Sequence, residues 1–165
     1  NNMQPVEDEQ EGMLCIGLDD PGLFIEYWKL PAVTQESRQS NYFLTGDYAR
    51  RDKDGYIWFL GRKDDIINSF GFRISPHEIE RVIKTHPQIA DCVALEETIE
   101  KDKNLVIICV ITKDNQVINT SQLIAFSEKH LAKYKVPKKV YVVKKFPRTA
   151  NGKIIRKQLL AEHKK

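Results

Sequence analysis

The sequence predicts an α+β fold. It should form a small domain with a three-stranded sheet, a β-hairpin and packed helices, preceded by a β-rich segment with no full core of its own. Three observations carry this expectation. Apolar runs of strand length recur at residues 14–18, 56–60, 92–95 and 105–112. Clear helical patterns appear in the later part of the chain, after a helix-start signature at Ser75-Pro76-His77-Glu78. A charged knot, Gly61-Arg62-Lys63-Asp64-Asp65, separates the two styles of sequence and marks the expected domain boundary, giving domains 1–62 and 63–165.

Taken in order, residues 14–18 read as a strand that stops at Asp19-Asp20-Pro21-Gly22, a strong turn signal. Residues 23–28 are a second short apolar and aromatic run, and residues 34–41 are polar, loop-like or weakly helical. Residues 48–60 read as a hairpin turning at Asp52-Lys53-Asp54-Gly55. Ile66-Ile67 starts another strand. Ser75 is then a helix cap, Pro76 occupies the first helical position and Glu78 completes a capping box. Ile79, Val82 and Ile83 share one face, and the helix should stop near His86-Pro87. Residues 105–112 are apolar on both faces, which suits a central strand. A second helix is expected over 119–131, a short strand over 141–143, and a final helical turn or two over 154–161.

Composition narrows the function classes. A hydrophobic fraction of 41% and a charged fraction of 30% suit a globular protein and argue against disorder. No apolar run is long enough to span a bilayer, and the polar, acidic start lacks the apolar core of a signal peptide. Cys15, Cys92 and Cys109 show no paired spacing, which suits reduced thiols and a cytoplasmic location. The histidines form no metal-ligand pattern. Asn119-Thr120-Ser121 matches a glycosylation acceptor, expected to be unused without secretion. The net charge is only +3, with the excess base gathered late in the chain, from Lys133 to Lys157. Such a cluster is either a solvated face or a surface for an anionic ligand. Without aromatic interleaving of an RNA-binding kind, nucleic acid ranks low.

Three segments carry more specific information. They are Tyr42-Phe43-Leu44-Thr45-Gly46-Asp47, the stretch from Gly61 to Glu80 containing Asp64-Asp65-Ile66-Ile67-Asn68-Ser69-Phe70-Gly71-Phe72-Arg73, and Pro147-Arg148-Thr149-Ala150-Asn151-Gly152-Lys153-Ile154. In this order and spacing they resemble the C-terminal part of the adenylate-forming enzymes: AMP-forming acyl- and aryl-CoA synthetases, peptide-synthetase adenylation domains and luciferases. Residues 1–62 resemble the β-rich end of that family's large domain, and 63–165 its small mobile lid domain.

The resemblance implies roles that the residue chemistry supports. A carboxylate accepts two hydrogen bonds, so Asp47 suits both hydroxyls of a ribose; otherwise it is a turn or cap residue. Arg62 offers a rigid donor fork near ribose or phosphate; otherwise it pairs at the surface with Asp64 or Asp65. Arg73 approaches the adenylate phosphate. Gly71 and Phe72 line the tunnel for the pantetheine arm of CoA, the missing Cβ of Gly71 permitting close approach; the alternative is a bulge or hairpin turn. Phe72 stands where the family often has tyrosine. Asn151-Gly152 is a tight-turn dipeptide that presents Lys153, the implied catalytic lysine, at a loop tip. Such electrostatic stabilisation is typically worth ~3–4 kcal/mol. The alternative is an ordinary exposed lysine. Asp64 is the implied hinge.

The implied reaction has two halves. A carboxylic acid attacks MgATP to give acyl-adenylate and pyrophosphate, and CoA then takes the acyl group and releases AMP. Ligands for Mg2+ are expected outside this chain, as are the phosphate loop and acyl pocket, so these residues alone should be incompetent. The segment from Asp64 to Pro76 looks closest to fatty-acid, medium-chain and aryl-CoA ligases, which points to fatty-acid metabolism. Two other readings stay open: a domain that loads a carrier protein, and a non-catalytic binding or regulatory module. Acylation of Lys153 would remove the charge that the first half needs, and mass spectrometry of cellular protein would detect it.

Overall fold

The computed structural model describes residues 3–100 and 103–163. The chain divides after Asp64, inside the charged knot, into two compact units.

The first unit is built around one long strand. Strand β1 (Glu11–Gly17), helix α1 (Pro31–Glu36) and strand β2 (Arg38–Gln39) precede β3 (Tyr42–Arg51) and β4 (Ile57–Arg62). Strands β1, β2 and β4 all pair antiparallel with β3. The β3–β4 turn forms where Asp52 Oδ1 accepts the Asp54 and Tyr56 N–H groups at 3.1 and 2.9 Å. Residues 23–28 form turns rather than a strand, with Phe24 packed edge-on against Phe43, ring centroids 5.1 Å apart. The only buried apolar side chains among the described residues of this unit are Phe43 and Ala49, whereas Ile25 is 87% and Trp28 80% exposed. The unit therefore has hardly any core, as its sequence suggests.

The second unit has a full core. A hairpin of β5 (Ile67–Ser69) and β6 (Phe72–Ile74) leads into α2 (Pro76–Ile83). Next come β7 (Ile89–Glu100), β8 (Lys103–Thr112), α3 (Thr120–His130), β9 (Lys139–Val142) and α4 (Arg156–His163). The sheet order is β7-β8-β9, antiparallel between β7 and β8 and parallel between β8 and β9, so the doubly apolar strand is central. Side chains alternate across the sheet. Cys92, Ala94, Val106, Ile108 and Val110 meet Ile67 and Ile74 of the hairpin, Ile79 and Ile83 of α2 and Leu123 of α3. Val93, Leu95, Ile107 and Cys109 instead meet Phe146, Ile154 and Leu159. Both faces are thus covered, by different segments. Among the described residues no helix is long and apolar enough to cross a membrane.

Two local expectations change. Ser75 is the N-cap residue of α2 and Pro76 follows it, but the Ser75 side chain makes no capping hydrogen bond. Glu78 turns instead to Lys135, whose Nζ reaches both carboxylate oxygens at 2.7 Å. A side-chain cap does appear at α3, where Asn119 Oδ1 accepts from the Ser121 and Gln122 N–H groups at 3.0 and 3.2 Å.

Candidate functional site

Three constellations hold the sequence-predicted site residues. The first, in the first unit, joins Asp47 and Arg62. They stand opposite each other in the β3–β4 register. Arg62 Nη1 donates to Asp47 Oδ1 at 3.1 Å and to the Thr45 carbonyl at 2.9 Å. Arg62 therefore pairs with Asp47 and not, as the alternative had it, with Asp64 or Asp65. The irregularity inside β3, where its register with β1 shifts, suits Gly46: its φ is +76°, and a Cβ there would lie 3.0 Å from Arg62 Nη2. Asp64 is exposed in the turn after β4, at the junction of the two units.

The second constellation is the β5–β6 hairpin. Its register is Ile67↔Ile74, Asn68↔Arg73 and Ser69↔Phe72, which leaves Phe70-Gly71 as a two-residue turn. Both have positive φ, 48° and 83°, the requirement of a type I′ turn. Phe70 holds that strained conformation without being glycine, and its side chain is 61% exposed. Side chains fix the strands to the sheet: Ser69 Oγ donates to the Asn104 carbonyl at 2.7 Å, and Asn104 Nδ2 donates to the Asn68 carbonyl at 3.0 Å. Phe72 stacks on Tyr134 with ring centroids 4.3 Å apart. Ser69, Phe70, Phe72, Tyr134 and Val136 line a concavity of about 370 Å³ together with Lys133, Lys138 and Glu128. Arg73, exposed on β6, adds a further cation to the hairpin.

The third constellation presents Lys153. An isolated antiparallel bridge, Arg148↔Ile154, closes a loop over Thr149-Ala150-Asn151-Gly152. Gly152 has φ +80°, and a Cβ there would meet nothing within 4 Å, so conformation alone favours glycine. The Gly152 N–H donates to the Thr149 carbonyl at 2.9 Å and the Thr149 N–H to the Lys153 carbonyl at 2.8 Å. The Lys153 N–H donates to Thr149 Oγ1 at 3.1 Å. The backbone of Lys153 is fixed while its side chain is exposed.

Two arginines in the basic stretch were not singled out by sequence and turn out to be bonded internally, Arg148 to this loop and Arg156 to elements upstream. Arg148 Nη1 donates to the Gly152 carbonyl at 2.8 Å, and Nη2 to Asp91 Oδ2 at 3.3 Å. Arg156, at the start of α4, donates to the Ala94 carbonyl at 2.8 Å and to Glu80 Oε1 at 2.9 Å, with Asp65 Oδ2 at 3.5 Å. Burial pushes the Glu80 carboxyl up, but His77, Arg156 and the Ala94 N–H together hold it below the ordinary glutamate value. Lys135 and Lys139 are likewise paired, with Glu78 and Glu97. Part of the basic cluster is therefore used internally. Burial pushes the Cys92 and Cys109 thiols up to about 12, the behaviour of core filler.

Residues 78–153 match the family model of the AMP-binding enzyme C-terminal domain. An uncharacterised acyl–CoA ligase of Bacillus subtilis, YtcI, is 35% identical over 152 residues, covering 90% of this chain and 28% of the relative. The mouse mitochondrial acyl-coenzyme A synthetase ACSM1 is 40% identical over 144 residues, 84% of this chain and 25% of the relative. The chain thus spans little more than a quarter of the curated relatives it matches. Among solved structures, o-succinylbenzoate CoA synthetase from Bacillus subtilis with its acyl-adenylate superposes with a TM-score of 0.87 at 27% identity, over 96% of this chain and 32% of that one. The same enzyme has been solved with ATP and magnesium and with AMP.

Proposed function

We propose, from the premise that the chain belongs to the AMP-forming acyl-CoA ligases and covers their C-terminal domain, that it serves in ATP-dependent activation of a carboxylic acid and its transfer to CoA. The observation that carries this reading is the placement of two glycine-turn hairpins, one with Arg73 and one with Lys153, on opposite faces of one sheet. A lid built this way offers different chemistry when it is turned over.

In the first half-reaction a carboxylate oxygen attacks the α-phosphorus of ATP and pyrophosphate leaves. Lys153 is the catalytic residue, neutralising charge on the carboxylate and the α-phosphate as they approach. Asp47 holds the ribose hydroxyls, with Arg62 beside it. In the second half-reaction the lid swivels about Asp64. The thiol of CoA then loses its proton, attacks the acyl carbon and displaces AMP. Phe70-Gly71-Phe72 lines the pantetheine path, and Arg73 faces the adenylate phosphate. Magnesium enters with ATP. Among the described residues no group of three or more His, Cys, Asp or Glu side chains gathers to hold a cation. The first unit is the end of the large domain, and the acid pocket and phosphate loop lie in residues outside this chain. Three unpaired cysteines suit a reducing compartment, and we place the protein in the cytoplasm. The murine relative is named as mitochondrial, and cell fractionation decides the question.

The test is acid-dependent ATP–pyrophosphate exchange in the whole enzyme, with a panel running from acetate through octanoate to benzoate, followed by thioester formation from CoA. Exchange with CoA consumption supports the ligase. Exchange without it moves the acceptor to a carrier protein. No exchange with any acid contradicts the reading and leaves a binding module.

A further inference from the structure

We infer that Arg148, braced by Asp91, is a positioning residue that holds Lys153 for the first half-reaction and has no part in the second. The inference rests on the function proposed above.

The guanidinium of Arg148 reaches two acceptors with two different nitrogens: the Gly152 carbonyl at 2.8 Å and Asp91 Oδ2 at 3.3 Å. The first of these is the peptide group that joins Gly152 to Lys153, so its orientation sets where the Lys153 side chain leaves the loop. The second is near the start of β7, where Asp91 stands opposite Ile111 of β8. Asp91 is itself held, with Oδ1 accepting the Cys92 N–H at 2.9 Å and lying 2.8 Å from Lys84 Nζ just past α2. The chain of contacts runs from helix and sheet through one planar fork to the backbone of Lys153. The loop is closed by a single bridge, with backbone bonds from the Thr149 N–H to the Lys153 carbonyl and from the Ile155 N–H to the Pro147 carbonyl, and Arg148 ties that short closure to the sheet through Asp91. The β5–β6 hairpin lies on the other face of the sheet and shares none of these contacts.

Arg148 can be removed without stranding a buried charge. Its own side chain is 47% exposed, and Asp91 keeps Lys84. The experiment compares wild type, Lys153→Ala, Arg148→Ala and Arg148→Lys in the whole enzyme. Two rates are read separately: pyrophosphate exchange with octanoate or benzoate, and thioester formation from supplied octanoyl- or benzoyl-adenylate and CoA. Misplacing a catalytic group by about 1 Å can cost about 100-fold, so Arg148→Ala should lose between about 10- and 100-fold in exchange at saturating ATP. Thioester formation from the adenylate should stay at the wild-type rate. Arg148→Lys should recover little, since an ammonium has no planar fork to span two acceptors. Wild-type exchange in Arg148→Ala, an equal fall in both rates, or full recovery in Arg148→Lys overturns the inference. Wild-type exchange in Lys153→Ala would instead overturn the proposed function, and the inference with it.

Discussion

The two hairpins of the second unit solve one problem in different ways. Each must present a short loop at the edge of a stable sheet, and each turns on a glycine of positive φ, Gly71 at 83° and Gly152 at 80°. The β5–β6 hairpin is held by a three-pair backbone ladder and by Ile67 and Ile74, which are 1% and 0% exposed. The Lys153 loop has one bridge, sits between buried Phe146 and partly buried Ile154, and takes its side-chain hydrogen bonds from Arg148 and Thr149. Apolar burial is non-directional and tolerant, whereas charged forks depend on particular atoms. The lesson is that the lysine loop should be the more easily disturbed by single polar substitutions, and the glycine–phenylalanine hairpin the more robust.

Substitutions at the supports should expose that difference. The largest effect on stability is expected at Arg156, whose loss leaves Glu80 buried without its cation. Arg156→Ala should cost about 3 kcal/mol, read by chemical denaturation. Acidity tests the same network. The Glu80 carboxyl sits below its ordinary value of 4.5 in the fold, so its contribution is complete above that value and is lost as pH falls through the depressed one. Glu80→Gln should therefore flatten the acid limb of the stability curve. A smaller effect is expected from Phe72→Ala, which removes the stack on Tyr134 and should cost about 1 kcal/mol while slowing thioester formation more than exchange. The smallest concerns Cys92 and Cys109. Their thiols, pushed up to about 12, should stay silent to thiol reagents in the folded protein and react after unfolding.

Local pattern carried much of the architecture. The central position of β8 was legible because residues 105–112 are apolar on both faces. The helix α3 and the β3–β4 turn at Asp52 to Gly55 were legible from periodicity and turn chemistry. Less was legible where long-range partners decide. The polar ends of β7 and β8 extend the ladder to Glu100 and Lys103, because each strand supplies the other's backbone partners. Glu78 has the spacing of a capping box, but Lys135, remote in sequence, claims it. Arg148 and Arg156 looked like members of a basic surface, since their carboxylate partners Asp91 and Glu80 lie on elements far upstream. Of the candidate site, the presenting residues Lys153 and Gly71 stood out through turn dipeptide and family resemblance. The residues that aim them did not, for no local signal marks a charge as internally paired.

The most direct test of the account is a crossed comparison of Lys153→Ala and Gly71→Leu in the whole enzyme, with both half-reactions measured for each. Gly71 combines positive φ with open space around its missing Cβ, so leucine there strains the turn and, in the function proposed above, would fill the approach of the pantetheine arm. The account predicts that Lys153→Ala loses about 10²–10³ in pyrophosphate exchange while still converting supplied adenylate to thioester. Gly71→Leu should do the reverse, exchanging normally and failing with CoA. Equal losses in both half-reactions for either variant would contradict the claim that the two faces of this sheet serve separate steps.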